Sequence, residues 1–438
     1  MVLARCAEEM RKAADTLFRP CQDAAVLVNT LPTAWQGCVE LPPDWRDGAV
    51  ADDEGVEYDT QVEDGRVVAY VDLPGSSFLT LRLRRGEGQA AELETAGERV
   101  LENDLIRYEF DGAGQLVSAI DKRDGRELMT APGNVLSLYA DQPLNYEAWD
   151  VDIYYPRDFR QQLSCTSAGM PQVGPCRSFL TFTFEGPASK VTQTVVLGPD
   201  STRLDFVTHV DWHEYRTMLR TAFPVAVAAD QAVFDIQYGY VRRPTHNNTS
   251  WDEAKFETAG QRYADLSQDD YGVALLNDCK YGYRVKGSVL DLNLLRSPKH
   301  PDYNADMGEH DMTYSLYPHA GDHIAGAVPE QAAMLNRDVH VALNREAGAA
   351  DVPCQVLSDS VNLEVLKRAE KDDSLILRLV ETAGRHSAAV LRLADPKARV
   401  SETNLIEWER GKALDVSADG QVELRLKPFE ILTLRLER

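Results

Sequence analysis

The chain has 438 residues, of which 70 are acidic and 46 are basic, giving a formal net charge of −24. This excess of negative charge disfavours nucleic acids and anionic membrane surfaces as partners, because both carry the same sign of charge. No run of about 18 uncharged apolar residues occurs, so we predict no membrane span.

The beginning of the chain predicts one helix and no export signal. Apolar residues recur at helical spacing over residues 2–19, at Leu3, Cys6, Met10, Ala14 and Leu17. Pro20 is expected to end this helix. Its apolar stripe needs a cover, which is either a β domain of this chain or the other helices of a bundle. The first residues lack the apolar core of a secretory signal peptide, so we expect no leader.

After Pro20 the pattern changes to β structure. Residues 66–73 and 78–83 favour strands, and from residue 101 turn signals recur about every ten residues, as in β-sandwiches and barrels. No alternation of strands and helices follows residue 100, which disfavours a parallel α/β sheet. A Gly- and Ala-rich stretch over residues 346–351, followed by Pro353, indicates a domain boundary near residue 350.

Two histidine patterns are candidates for metal ligands. In His209-Val210-Asp211, with His213 following, the polar side chains would share one face of a strand. We interpret this as an exposed or edge strand, since alternation alone is common there. His319 and His323 are four residues apart, but Pro318 and Gly321 favour a loop, so we interpret them as two loop histidines.

Two stretches suggest a site. Residues 144–155 mix aromatic residues with three carboxylates, as sugar-binding surfaces do, because rings stack on C–H faces and carboxylates accept hydroxyl hydrogen bonds. The alternative is a sandwich core with solvated acids in its turns. Residues 295–310 form a long polar loop between apolar strands, and such loops often carry function. The alternative for this loop is a solvated segment held by Arg–Asp pairs.

Motifs spread over nearly the whole chain resemble family 38 of the glycoside hydrolases, in particular its cytosolic-type and bacterial α-mannosidases. The motifs that carry this resemblance are Asn103-Asp104-Leu105-Ile106-Arg107, Pro143-Leu144-Asn145, Ala148-Trp149-Asp150-Val151-Asp152, Asp211-Trp212-His213-Glu214, Arg243-Pro244-Thr245-His246, Leu294-Leu295-Arg296-Ser297-Pro298, Asp306-Met307-Gly308-Glu309-His310 and Lys427-Pro428-Phe429.

The resemblance implies an all-β fold with one amino-terminal helix. The expected parts are the final helix of a helical bundle over residues 1–20, a small β-sandwich over 21–100, a large galactose-mutarotase-like β super-sandwich over 101–348, and a last β-sandwich over 349–438. In the family, an amino-terminal α/β barrel carries the aspartate nucleophile and a zinc-binding His-x-Asp motif. The helical bundle supplies another zinc-binding histidine. The barrel motifs have no counterpart in this sequence.

The resemblance therefore implies the carboxy-terminal part of an α-mannosidase, which contributes a wall of the substrate cleft. We expect no catalytic residue and no metal ligand in this chain, with zinc bound only by the complete enzyme, so the chain alone is predicted to be inactive. The residues expected to reach the substrate are Trp149, Asp150, Arg296, Asp306 and His310. Expected partners are mannosides or mannose-containing oligosaccharides, a catalytic amino-terminal region and, as an option, a second copy of the chain.

The seven cysteines are odd in number and form no C-x-x-C pair, which together with the missing leader predicts free thiols in the cytoplasm. Two other functions stay open. One is a stand-alone carbohydrate-binding β module without catalysis. The other is an epimerase of the galactose-mutarotase type, in which His246 and Glu309 would serve as acid and base.

Overall fold

The computed structural model describes residues 2–348 and 352–437, with side chains from residue 5 onward. Residue contacts group into two compact units, one comprising Met1–Ala90, Gln237–Gly239 and Arg337–Arg438, the other Ala91–Ile236 and Tyr240–Asn336. The four predicted domains stay a prediction, and the third of them, 101–348, includes residues of both units. The predicted boundary at residue 349 lies outside the described residues.

The unit that contains residues 91–236 and 240–336 consists almost entirely of antiparallel strands. Its largest sheet contains, in spatial order, Gly239–Pro244, Gln231–Ile236, Tyr263–Ser267, Tyr271–Asn277, Gly308–Ala320, Leu204–Trp212, Lys190–Leu197, Ser178–Glu185, Gln172–Val173 and Glu94–Thr95, with Ser164–Ala168 pairing beside Ser178–Glu185. A six-stranded sheet contains Phe159–Gln162, Ser137–Ala140, Thr217–Pro224, Val289–Arg296, Gly282–Lys286 and Thr258–Ala259. Short helices follow at Ser250–Glu253 and Val328–Asn336, and a 3-10 turn at Tyr155–Arg157.

These two sheets enclose one apolar core. Along the strand Leu204–Trp212, every second side chain is buried, as expected when one sheet face meets a core. Phe206 of the large sheet stacks on Tyr314 with ring centroids 5.1 Å apart and contacts Phe223 of the six-stranded sheet at 5.5 Å. The alternating apolar pattern therefore builds a sandwich whose other faces are available for covering segments or solvent.

The predicted meander at residues 101–128 forms a separate four-stranded sheet. Its strands are Val100–Glu102, Ile106–Phe110, Leu116–Asp121 and Arg126–Glu127. The turn after Phe110 closes because the Asp111 carboxylate accepts hydrogen bonds from the backbone of Ala113 and Gln115. Gly114 in this turn has a φ of 74°, and a Cβ there would lie 2.7 Å from the Phe184 ring, so only glycine fits.

The other unit contains four smaller antiparallel sheets among the described residues. The first sheet contains, in spatial order, His340–Glu346, Arg19–Asn29, Ser77–Arg85, Gly48–Asp52 and Glu57–Tyr58. The second contains Trp35–Leu41, Arg66–Leu73 and Thr60–Glu63. A 3-10 turn is formed by Pro43–Asp47. The third sheet contains Cys354–Leu357, Ser387–Leu393 and Gln421–Leu426. The fourth contains Val361–Arg368, Leu375–Glu381, Ile431–Glu437, Arg399–Thr403 and Arg410–Leu414. The last pair shares a core that includes Leu377, Leu391 and Leu434.

The predicted amino-terminal helix is present as Val2–Leu17, two residues shorter than expected, because the chain enters a strand at Arg19 before Pro20 is reached. Ala14 and Phe18 are buried against the following sheet, where Phe18 meets Phe78 edge to face at 5.3 Å. Met10 and Leu17 stay exposed, so the sheet covers only part of the stripe.

The expectation of an all-β sandwich fold with one amino-terminal helix is confirmed. Among the described residues, none of the helices combines the length and the apolar character that crossing a bilayer requires.

Candidate functional site

A buried charged cluster lies on the outer face of the six-stranded sheet. Arg220 points away from the core that its neighbours Leu219 and Phe223 enter, yet its side chain is only 2% exposed. Its Nε donates to Asp291 at 2.9 Å, and Nη2 lies 3.1 Å from a Glu257 oxygen. The Tyr155 hydroxyl donates to Glu257 at 2.5 Å. The cluster thereby fastens the segments around residues 155 and 257 over this face.

The electrostatics of this cluster follow from two carboxylates sharing one guanidinium. Burial raises the pKa of Glu257, and the nearby Asp291 raises it further, while Arg220 opposes both effects. Burial alone would lower the pKa of Arg220, but Asp291 and Glu257 reverse this and raise it above its ordinary value. Arg220 is therefore charged and indispensable to the burial of its two partners.

The first predicted stretch forms an exposed segment that covers this sheet. Between the strand Ser137–Ala140 and the turn at Tyr155, the chain folds around Tyr146, whose carbonyl accepts the backbone N–H groups of Trp149 at 2.8 Å and Asp150 at 2.9 Å. Tyr146 adopts a positive φ of 55° to make this turn. The Trp149 side chain is 69% exposed, so its ring is open to a ligand.

Arg296 holds this segment in place. Its Nε and Nη2 donate to the Asp141 carboxylate at 2.7 and 2.9 Å. Nη2 also donates to the carbonyls of Glu147 at 2.9 Å and Asp150 at 2.7 Å. Asp141 is 1% exposed. Arg296 thus positions Trp149 and Asp150 from beneath, and its predicted contact with sugar stays a prediction.

Glu147 joins the segment to the second predicted stretch. Its carboxylate accepts the backbone N–H of Lys299 at 2.8 Å and a donor of Arg216 at 2.7 Å. These two contacts hold the pKa of Glu147 below its ordinary value. The structure therefore brings the two stretches, 144–155 and the start of 295–310, side by side, which the sequence did not indicate.

An aromatic pair with a lysine extends this surface. The Lys299 ammonium lies 3.5 Å from the ring centroid of Tyr215 and 4.8 Å from that of Tyr303, and the two rings are 5.9 Å apart. Burial lowers the pKa of Lys299. Tyr215 was not among the predicted residues. Lys299 and Tyr303 lie inside the second predicted stretch, although neither was named as a substrate contact, and the aromatic residues in turn-like sequence around 215 and 303 were the available signal.

Asp306 and His310 form a separate pair at the far end of the same loop. The His310 Nε2 lies 2.9 Å from the Asp306 carbonyl, and Asp306 has a positive φ of 57°. His310 lies near the beginning of the strand Gly308–Ala320, opposite Val210. No described contact joins this pair to Trp149, so the five predicted residues divide into two groups.

The His209 pattern lies on an exposed sheet face. His209 Nδ1 lies 2.8 Å from Asp311, and His213 Nε2 lies 2.7 Å from Asp211. The exposed position agrees with our interpretation, whereas the edge position is wrong, because strands pair on both sides of Leu204–Trp212. Across residues 2–348 and 352–437, no three His, Cys, Asp or Glu side chains are placed to hold a metal ion.

The interpretation as loop histidines is wrong for His319, whereas His323 does lie in the turn between the strand Gly308–Ala320 and the helix Val328–Asn336. His319 lies on the strand Gly308–Ala320, and its Nε2 is 2.8 Å from Asp265 in a fully buried pair. His323 is also buried, and its ring meets Tyr240 edge to face at 4.5 Å. The strand continues through Pro318 because it pairs with Tyr271–Asn277 as far as Ala320. Local turn signals could not show this distant partner. For the proposed acid–base pair, His246 lies near Asp252 at 3.6 Å, and no described contact links it to Glu309.

Comparison with known proteins places the two regions of the chain in one family. The profile described as "Glycosyl hydrolases family 38 C-terminal domain" matches residues 101–304, which include the surface around Trp149. A second profile, "Glycosyl hydrolases family 38 C-terminal beta sandwich domain", matches residues 360–434.

Several curated proteins are similar over most of the chain. Alpha-mannosidase 2C1 of Homo sapiens is 39% identical over 355 residues, which covers 78% of this chain and 34% of that protein. The Mus musculus protein of the same name is 38% identical over the same length. An alpha-mannosidase of Saccharomyces cerevisiae is 31% identical over 350 residues, 73% of this chain and 32% of that protein. The chain spans about a third of the length of these relatives.

The fold is also shared with solved structures. An alpha-mannosidase from Enterococcus faecalis superposes with a TM-score of 0.75 over 98% of this chain and 58% of that chain, at 17% sequence identity. A second family 38 protein from the same organism gives a TM-score of 0.71 at 16% identity. The fold, the two profiles and the relatives agree, and the chain belongs to glycosyl hydrolase family 38, of which it carries the C-terminal domains.

Proposed function

We propose that this chain is the carboxy-terminal part of an α-mannosidase and forms one wall of its substrate cleft. Trp149 stacks on a mannosyl ring, and the Asp150 carboxylate accepts a sugar hydroxyl. The names of the relatives support the reaction class. The exposed segment that presents Trp149 supports the proposed contribution to the substrate cleft.

The observation that carries this proposal is an exposed tryptophan on a segment that is fixed from beneath. Trp149 is 69% exposed, while Arg296 and Glu147 tie its neighbours to buried and half-buried partners. A main chain held in place loses little conformational freedom when a sugar binds, so the apolar face of the ring is offered at a lower entropic cost. Exposed aromatic residues without such support would offer a less defined surface.

The chemistry of hydrolysis needs groups that we place outside this chain. Retaining glycosidases use two carboxyl groups about 5–5.5 Å apart, one of which attacks the sugar. For zinc, the described residues fit poorly, because His209, His213 and Asp211 pair with each other or with Asp311 on an open sheet face rather than converging. We therefore propose that nucleophile and zinc ligands belong to an amino-terminal catalytic region, as the family resemblance implies.

Two further expectations belong to the same proposal. The partly exposed stripe on Val2–Leu17, with Met10 and Leu17 uncovered, suits packing against helices of that catalytic region. The seven cysteines are all free, which suits the reducing cytoplasm as the location.

The proposal is tested by titrating the full chain with methyl α-D-mannopyranoside and measuring binding by calorimetry. Because the chain supplies only one wall of the cleft, it should bind the mannoside weakly. We expect a dissociation constant of about 1 mM or above, equivalent to a binding free energy of about −4 kcal/mol or less favourable. Trp149→Ala should lower the affinity further, while Trp251→Ala, which removes another exposed tryptophan of the same unit, should not. Binding in the micromolar range would favour the stand-alone module instead, and equal effects of both variants would contradict the proposal.

A further inference from the structure

A cavity lies on the same sheet face as the charged cluster around Arg220 and is lined by other residues. Arg284 and Lys286 are two residues apart on the strand Gly282–Lys286, so both side chains point to one face. Arg157, at the end of the 3-10 turn Tyr155–Arg157, faces them from the covering segment. Together with Tyr154, Phe256, Asn247 and Glu253 they line a cavity of about 170 Å³.

The three cations of this cavity are poorly compensated. Neither the Arg157 nor the Arg284 side chain has a hydrogen-bond partner or a carboxylate within 4.0 Å among residues 2–348 and 352–437. The Lys286 ammonium donates only to the backbone carbonyls of His246 and Asp252, both at 3.4 Å. Glu253 is the one acid in the lining. The Arg157 guanidinium lies 4.9 Å from the ring centroid of Tyr154, and the charge of Arg284 lowers the pKa of Glu257. Neither arginine forms an ion pair with a described residue, which is unexpected in a chain that carries 70 acidic and 46 basic residues.

The electrostatics agree with a missing anion. Burial lowers the pKa of Lys286, the neighbouring Arg284 lowers it further, and Asp252 opposes both effects without reversing them. Like charges held together in a partly enclosed space repel each other, and an oxyanion placed between them removes this repulsion through charge-assisted hydrogen bonds. Guanidinium groups suit phosphoryl oxygens in particular, because their planar donors can bind two oxygens at once.

We propose that this cavity binds a phosphate monoester of a small polyol. Arg157, Arg284 and Lys286 contact the phosphoryl group. Asn247 and Glu253 contact hydroxyl groups, which gives the single carboxylate of the lining a role. A volume of about 170 Å³ is many times the roughly 10–15 Å³ that one water molecule needs by the same measure, which leaves room for a phosphoryl group and a short carbon chain. This inference does not depend on mannoside binding at Trp149.

The experiment is a calorimetric titration of the full chain, in phosphate-free buffer, with glycerol 3-phosphate, inorganic phosphate and uncharged glycerol. We expect glycerol 3-phosphate to bind one site per chain, inorganic phosphate to bind it several-fold more weakly, and glycerol not to bind. Failure of glycerol 3-phosphate to bind in the millimolar range would overturn the proposal. Equal affinity for the two anions would overturn the assignment to a monoester.

Variants separate this site from the general field of the protein. Arg284→Gln should weaken glycerol 3-phosphate binding about tenfold or more, since hydrogen bonds to charged groups contribute that much. Arg157→Gln, at an exposed position where folding is not at risk, should weaken it by a similar factor. Lys255→Gln removes an equal charge outside the lining, from a residue that acts on Lys286 only through its field, and should weaken binding much less than Arg157→Gln does. A loss with Lys255→Gln as large as with Arg157→Gln would contradict a defined site.

Discussion

The guanidinium of Arg296 donates a 2.7 Å hydrogen bond to the main-chain carbonyl of Asp150, while the same side chain neutralises the buried Asp141. One residue at the end of a core strand thus ties the sandwich to the exposed segment that presents Trp149. The contact with Asp141 concerns stability, and the contacts with the carbonyls of Glu147 and Asp150 concern the position of the segment. These two roles can be separated by mutation.

Replacing Arg296 by Met should destabilise the chain. Asp141 would be left buried without its partner, and breaking such a pair lowers the free energy of unfolding by about 3–5 kcal/mol. Adding Asp141→Leu to Arg296→Met should recover most of this loss, because an apolar pair of similar volume replaces a buried ion pair at little cost. Chemical denaturation measures both effects. No recovery in the double variant would contradict this account of the pair.

The same double variant should leave the segment loose. Without Arg296, the carbonyls of Glu147 and Asp150 lose their donor, so the amides of residues 146–150 should exchange with solvent faster than in the unmodified chain. Hydrogen–deuterium exchange with mass spectrometry reads this directly. Unchanged exchange in a variant whose stability has recovered would show that Arg296 does not position the segment.

Acid should loosen the segment through Glu147. The backbone N–H of Lys299 and the side chain of Arg216 hold the pKa of Glu147 below its ordinary value. A carboxyl group with a depressed folded-state pKa stabilises above its unfolded pKa, and this stabilisation disappears as pH falls through the folded pKa. We expect the fluorescence of Trp149, obtained as the difference between the chain and Trp149→Phe, to change over that acidic range. In Glu147→Gln the transition should be absent, and its persistence there would assign it to another group.

Arg220→Met should be among the most destabilising single substitutions in the chain. It leaves both Asp291 and Glu257 buried without their shared cation, which is expected to lower the free energy of unfolding by about 3–5 kcal/mol. Arg157→Gln is the control, because that exposed side chain pairs with no carboxylate among the described residues. Its replacement should change the free energy of unfolding by less than about 0.5 kcal/mol. Thermal and urea unfolding of the two variants should differ accordingly, and similar midpoints would contradict the account of the cluster.

Gly272→Ala tests the buried position of His319. A Cβ at residue 272 would lie 2.3 Å from the His319 Cε1 and 2.4 Å from the Ser267 Oγ, so the ring would have to move away from Asp265. Overpacking of this kind lowers stability by about 1–3 kcal/mol. Gly97→Ala, where no atom lies within 4 Å of the added carbon, is the matched control and should be neutral. A neutral Gly272→Ala would mean that His319 is not held between its neighbours.

Sequence reasoning succeeded where local pattern decides structure. The alternation along Leu204–Trp212 and the turn at Asp111 each follow from a few consecutive residues. An Arg–Asp pair was foreseen as an alternative for the loop at 295–310, but the partner of Arg296 was not, since Asp141 lies 155 positions away. Arg220 escaped notice for the same reason, because a buried charge depends on partners from distant strands. Trp149 and Asp150 were predicted from composition and from resemblance and stay a prediction, whereas the contacts that support their segment became visible only in the fold.

The most direct test of the central claim is hydrolysis of 4-nitrophenyl α-D-mannopyranoside by the purified full chain, with and without added zinc. The claim is that this chain forms a sugar-contacting wall while the reacting groups belong to other polypeptide. We predict no release of nitrophenol above the uncatalysed rate, in a sample that still binds methyl α-D-mannopyranoside in a Trp149-dependent manner. Hydrolysis that rises in proportion to the concentration of the chain and is lost on removal of zinc would contradict it.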